Sequence, residues 1–186
     1  MNFTMKQVLY VFLICSTFML TKVSALEIKS AHPRLIDATS LKKIQAKQKT
    51  MGLLVKKANY YLGEKEDNIV NQKSKEREFI RLYAFLYSAK KEDKYFKKAK
   101  KLIEALRNAP ETKDDQQIRT RLQSYAYYYD LCFDKLDETE KKIIQEQILK
   151  HIQWLDDKKY LRINNFGGGH HFYANISAII GCIAIY

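Results

Sequence analysis

DKYFKKAKKLIEALRN, residues 93–108, places Phe96, Ala99, Ile103 and Leu106 three or four positions apart, with lysines filling the turns between them. That is the spacing of a helix with one apolar face. Pro110 ends it, because proline cannot continue the hydrogen-bonded ladder. The preceding segment, Lys75 to Lys90, repeats the pattern with Phe79, Leu82, Tyr83 and Leu86. Downstream, Asp115 to Phe133 carries Ile118, Leu122, Tyr125, Tyr129 and Cys132. Asp137 to Leu155 opens on Asp137-Glu138-Thr139-Glu140, a capping box in which Glu138 and Glu140 are capping acids rather than a paired-carboxylate site. Its apolar face is Ile144, Ile148, His151, Ile152 and Leu155. Upstream, Ser40 is placed to cap a helix carrying Leu41 and Ile44, with a weak point at Gly52 before Leu53, Leu54 and Ala58.

No stretch alternates as a strand would, and the whole chain has only two prolines and six glycines. The expected fold is all-α. Amphipathic helices joined by short connections form antiparallel hairpins, and each hairpin leaves an apolar side for the next to cover. A bundle, a superhelix and a closed α/α toroid all meet that demand. The absence of a fixed period argues against a regular superhelix. Ile176 to Tyr186 is apolar almost all round, which predicts a helix buried on every side. Its eleven residues are too few to span a bilayer, which takes roughly 20.

Residues 1–25, MNFTMKQVLYVFLICSTFMLTKVSA, read as a cleavable export signal. Lys6 supplies the positive start, Val8 to Leu20 the apolar run, and Val23-Ser24-Ala25 the small residues before a cut after Ala25. The mature chain, residues 26–186, is then expected in the periplasm or secreted. Export permits a disulfide between Cys132 and Cys182. Both, however, lie in apolar helical patterns that suit buried free thiols. No CxxC-type metal spacing occurs, and no cofactor motif.

The net charge is +12, and residues 40–101 hold 18 Lys/Arg against 7 Asp/Glu, with the rest of the mature chain nearly balanced at 13 against 14. A basic half attracts a polyanion. For an exported protein, nucleic acid is set aside and an acidic polysaccharide is the natural partner. A solvated lysine surface explains the same charge without any partner.

The segment NNFGGGHHFYAN, residues 164–175, concentrates polar chemistry at the entry of the apolar helix. Three glycines free the backbone for close approach of a ligand. His171 and Asn175 are four apart and share a helical face; His170 and Tyr173, three apart, share a neighbouring one. Such groups can neutralise a carboxylate or donate to a developing oxyanion. A glycine turn with capping side chains gives the same pattern without function. In the tyrosine run, Tyr125 and Tyr129 take core positions, which leaves Tyr127 and Tyr128 as a sugar-stacking platform. His151 reads as a satisfied structural histidine. Asn175-Ile176-Ser177 matches a glycosylation site but opens a buried helix.

Three stretches together resemble the heparinase II/III-like and alginate-lyase-like polysaccharide lyases. His32-Pro33-Arg34-Leu35-Ile36 followed by Ala38 to Ile44 is similar to their opening before the first helix. Ala126 to Leu131 continued through Leu136 to Glu140 is similar to one of their helical hairpins, and the Asn/Gly/His segment to their charge-neutralising region. The resemblance implies the N-terminal part of an α/α toroid, incomplete here, with a β-sandwich following in complete members. It implies an exported lyase that cleaves uronic-acid polysaccharide by β-elimination. His170, His171 and Asn175 would neutralise the uronate carboxylate, and Asn164, Asn165, Tyr173, Tyr127 and Tyr128 would bind substrate. The family's catalytic tyrosine is expected further along than Tyr186, so the 186-residue chain is read as a truncated and inactive piece. The alternative is a non-catalytic helical glycan-binding or scaffold protein of the cell envelope.

Overall fold

The computed structural model describes residues 32–70, 75–161 and 169–186. The export signal lies outside them. The described residues form eight α-helices and no strand: α1 (Ala38–Gln45), α2 (Gln48–Tyr61), α3 (Glu66–Val70), α4 (Lys75–Lys90), α5 (Asp93–Asn108), α6 (Asp115–Leu131), α7 (Glu138–Asp157) and α8 (Gly169–Ile185), with a single 3₁₀ turn at Phe133–Lys135. The fold is all-α, as the apolar spacing requires.

Two helix ends follow their caps closely. At α6 the Asp114 carboxylate accepts from the Gln116 and Gln117 amides, at 2.9 and 3.3 Å. At α7 Asp137 and Glu140 close the expected reciprocal box. Such caps satisfy amides that the first turn leaves without partners. The first helix differs from expectation. Asp37, not Ser40, is its cap, accepting from the amides of Thr39 and Ser40. The break falls at Ala46–Lys47, and Gly52 lies inside α2, where open space beside it relieves the chain of any need to bend. Between α4 and α5, Lys91 takes a left-handed φ of 56°. Its ammonium is held 2.9 Å from Asp134 across the next hairpin.

Side-chain contacts give the helix directions. Tyr125 meets His151 and Tyr129 meets Gln145, so α6 and α7 run antiparallel. Arg81 lies 5.4 Å over the Tyr127 ring, and Tyr87 bonds Asp134 just past the end of α6, so α4 and α6 run the same way. His170 meets Asp115, and Gln123 donates to Ser177 at 2.8 Å, so α8 also runs with α6. The result is two layers. α4, α6 and α8 form a parallel row, and α5 and α7 return behind it. Sequential neighbours are antiparallel and alternate helices are parallel.

α6 is the centre of this arrangement and is buried almost all round, including Ile118, Leu122, Tyr125, Ala126, Tyr128, Tyr129 and Leu131. Gly181 lets α8 approach closely. A Cβ there would lie 3.0 Å from Leu122 Cδ1 and 3.1 Å from Ile148 Cγ2. α8 is not buried on every side, however. Ala174, Ser177, Ala178, Gly181 and Ala184 face the core, whereas Phe172, Ile179, Ile183 and Tyr186 are exposed. Small residues make the closest contact, with Ile180 and Ile185 packing at its margins.

The N-terminal segment is fastened by one buried carboxylate. Asp130, 1% exposed, accepts from the amides of Arg34 at 2.8 Å and Leu35 at 2.8 Å, and from His32 Nδ1 at 2.6 Å. The His32 ring stacks on Phe133 at 3.8 Å. Arg34 reaches the Ala184 carbonyl at the end of α8. Replacing Asp130 leaves three donors without their acceptor, each worth about 1–3 kcal/mol when buried. Asp130→Ala is therefore expected to lower unfolding free energy by about 3 kcal/mol or more in chemical denaturation. Asp130→Asn, which keeps one acceptor oxygen, should cost less. A change under about 0.5 kcal/mol for the alanine variant would show that the carboxylate fastens nothing.

Candidate functional site

Because α6 and α8 are parallel, their N-termini lie side by side. His170 sits in the first turn of α8, and its Nδ1 is 2.9 Å from Asp115 Oδ2 in the first turn of α6. Arg119, one turn further along, donates to the same oxygen at 2.8 Å. Its guanidinium also lies 5.8 Å from the centre of the Tyr173 ring. The Asp115 carboxylate is largely buried, whereas His170 is 68% exposed and Tyr173 57% exposed. Burial by itself would raise the Asp115 carboxyl, but the His170 hydrogen bond and the Arg119 charge outweigh it and hold it below its ordinary value.

A carboxylate can only accept, so Nδ1 carries the proton when the imidazole is neutral, and Nε2 keeps its lone pair. Nε2 can then take a proton from a ligand or, once protonated, donate to an anion. The arrangement is a histidine oriented by an acid, with a guanidinium and a phenol alongside.

The three residues expected to neutralise a carboxylate do not all converge. His170 turns toward α6. His171 Nδ1 lies 3.1 Å from the Tyr160 carbonyl, and its ring meets the Tyr160 ring at 5.6 Å. Asn175 Nδ2 donates to the His171 carbonyl at 2.8 Å, within its own helix. His171 and Asn175 therefore share a face, as their spacing indicates, but a face other than that of His170 and Tyr173. Asn164 and Asn165 lie outside the described residues.

The tyrosine platform needs correction. Tyr128 is 1% exposed and cannot stack on a sugar. It is enclosed by Lys100, Ile103, Glu140 and Ile144 from the α5 and α7 layer, and its hydroxyl has no hydrogen-bond partner among the described residues. Tyr127 is half-buried beneath Arg81. The reason is that α6 has helices on nearly every side, so no large part of its surface is free. Asp115 and Arg119 were not singled out by the sequence. Their i, i+4 pairing at a helix start was legible, but their meeting with His170 required the fold.

Cys132 and Cys182 form no disulfide with each other, and burial pushes the Cys132 thiol well up. Among the described residues no cluster of three or more His, Cys, Asp or Glu is placed to hold a metal ion. None of the described helices is long and apolar enough to cross a membrane. Comparison with family models, with curated proteins and with solved structures finds no match for this chain.

His151 is a core residue. Its Nδ1 donates to the Gln147 carbonyl at 2.6 Å, and its ring meets Tyr125. Burial pushes its pKa down to about 4, only partly opposed by the Gln147 hydrogen bond, with Arg121 and Lys150 adding to the depression. The unfolded chain therefore binds this proton near the ordinary 6.5 while the folded chain does not. Stability is full above that value and falls as pH drops from about 6.5 toward 4. The loss amounts to roughly 3 kcal/mol at most. In denaturation curves over this range, His151→Gln should show a flatter acid limb than the parent. Parallel limbs would place the titrating group elsewhere.

Proposed function

We propose that this chain is the helical, N-terminal part of an exported polysaccharide lyase that cleaves uronic-acid-containing polysaccharide by β-elimination. The observation that carries the reading is the Asp115–His170 pair with Arg119 and Tyr173 beside it, at the shared start of two parallel helices. The two-layer row of hairpins is also what a segment of an α/α toroid requires. In such a reaction the uronate carboxylate must be neutralised so that its C5 proton becomes acidic, after which a base removes that proton, the C4–C5 double bond forms and the C4–O bond breaks, its leaving oxygen taking up a proton. The exposed His170 ring offers a donor to the carboxylate, and Arg119, 11% exposed, balances the charge of Asp115 behind it. Tyr173, exposed and next to the guanidinium, would contact the substrate in this reading. His171 and Asn175 belong to the same helix start, and their roles follow only if substrate reaches that second face.

A specific observation favours a second reading, a non-catalytic glycan-binding or scaffold protein of the cell envelope. His171 and Asn175 both engage backbone carbonyls, so part of the polar cluster serves the helix itself.

The two readings part in one assay. Elimination leaves an unsaturated uronate that absorbs near the ultraviolet edge. Protein expressed from the natural gene is expected to generate this chromophore from alginate, heparin or another uronic-acid polysaccharide. His170→Ala should lower the rate by roughly 10²–10³, the scale of losing one charge-stabilising donor, with the fold retained. Binding without chromophore on every acidic polysaccharide tried would favour the second reading. Full activity in His170→Ala would remove this site from the chemistry.

A further inference from the structure

α1 and α2 bear a charge pattern unlike the rest of the molecule. Residues 38–61 contain six lysines and no aspartate or glutamate. All six lysine side chains are exposed. Lys57 is paired with Glu78 of α4, which anchors one edge of the surface. On α2, Lys49, Leu53, Lys56 and Tyr60 recur at intervals of four, three and four, so they form one outward stripe. The opposite side of the helix carries Ala58, Leu54 and Val55 into the core. Leu53 is exposed, and Tyr60 is 80% exposed, the most open of the large apolar side chains among the described residues. Leu53, Lys56, Lys57, Tyr60 and Tyr61 line a shallow open groove of about 360 Å³. The Tyr60 and Tyr61 rings meet edge to face at 4.8 Å, which braces the exposed ring.

We propose that this groove is a binding surface for an anionic oligosaccharide chain, separate from the His170 site. Charge complementarity selects the ligand, since residues 38–61 carry six lysines and no acid of their own, which attracts a polyanion and repels cationic partners. The aromatic ring selects its class. A pyranose presents a flat C–H face to an exposed tyrosine while its carboxylates or sulfates reach the lysines, and the phenol keeps its polar end in water. The stripe runs along the helix axis, which suits an extended chain lying on it. A lipid surface would instead need a continuous apolar face, whereas lysines alternate with Leu53 and Tyr60 along this stripe. The proposal does not depend on any elimination chemistry.

The test is titration calorimetry with an alginate octasaccharide, against a thymidine oligonucleotide of matched charge and anionic phosphatidylglycerol vesicles. The wild-type protein should bind the octasaccharide, and affinity should fall as salt screens the lysines. Tyr60→Ala should weaken binding about tenfold, and Lys49→Gln with Lys56→Gln should weaken it and flatten its salt dependence. Tyr60→Phe should retain affinity. These side chains are exposed, so thermal unfolding should be unchanged, and a variant that unfolds early is replaced by Lys56→Gln alone. The titrations are repeated in the His170→Ala background, where any binding at that site is removed and the Tyr60 dependence should persist. Equal affinity in wild type and Tyr60→Ala would overturn the proposal. So would tighter binding of the oligonucleotide or of the vesicles, either of which would assign the surface to another class of partner. If no chromophore ever forms but Tyr60-dependent binding persists, the lyase reading fails and this one stands. If the chromophore forms and Tyr60→Ala binds normally, the reverse holds.

Discussion

A single buried carboxylate ties the beginning of the described chain to its centre. Asp130 lies near the end of α6 and receives three hydrogen bonds from residues almost a hundred positions earlier. An ionised group in an apolar interior is tolerated only when its lone pairs are filled. His32 and the amides of Arg34 and Leu35 fill them, and the stacked Phe133 ring covers the imidazole. The N-terminal segment is thereby laid across the α6 terminus. Arg34 extends the tie to the end of α8. Two stretches that look independent in the sequence, the His-Pro-Arg-Leu segment and the tyrosine-rich helix, are two halves of one contact.

The opposite end of α6 carries the candidate site. The helix is held by Asp130 at its C-terminal end and by α4, α5, α7 and α8 along its length. Parallel alignment of α8 follows from a small-residue face with Gly181 at the closest approach. That alignment brings His170 level with Asp115, Tyr173 level with Arg119 and Ser177 level with Gln123. The contacts recur turn by turn, so the polar group at the helix starts is a consequence of the same register that packs the core. The basic α1–α2 surface lies on the other flank of the α4 row, anchored through Lys57 and Glu78. Binding there and chemistry at His170 can therefore be separated.

Local features were the legible ones. The bounds of α4 and α5 followed from Phe79, Leu82, Leu86, Ile103 and Leu106 at helical spacing, and from Pro110 as a stop. The Asp137–Glu140 box marked the start of α7 by its residue types alone. Features that depended on neighbours were not legible. Spacing along one helix assigns one buried face, and it assigned Tyr125 and Tyr129 correctly. Tyr128 was missed because α6 has partners on several sides, so a second face is buried too. The all-round apolar character of α8 suggested complete burial. In the structure its alanines and Gly181 take the closest contact and Ile179 and Ile183 stay open, a distinction that hydrophobicity alone does not carry. His170 was legible as a candidate, whereas Asp115, 55 positions away in sequence, could be found only once the helices were aligned.

The central claim is that the α6–α8 register orients His170 through Asp115. Nitrogen-15 NMR of the neutral His170 ring reports this directly. The account predicts the tautomer with the proton on Nδ1 and a bare Nε2, and predicts that Asp115→Ala abolishes the preference. The mixture shown by a freely solvated imidazole, unchanged in Asp115→Ala, would contradict it.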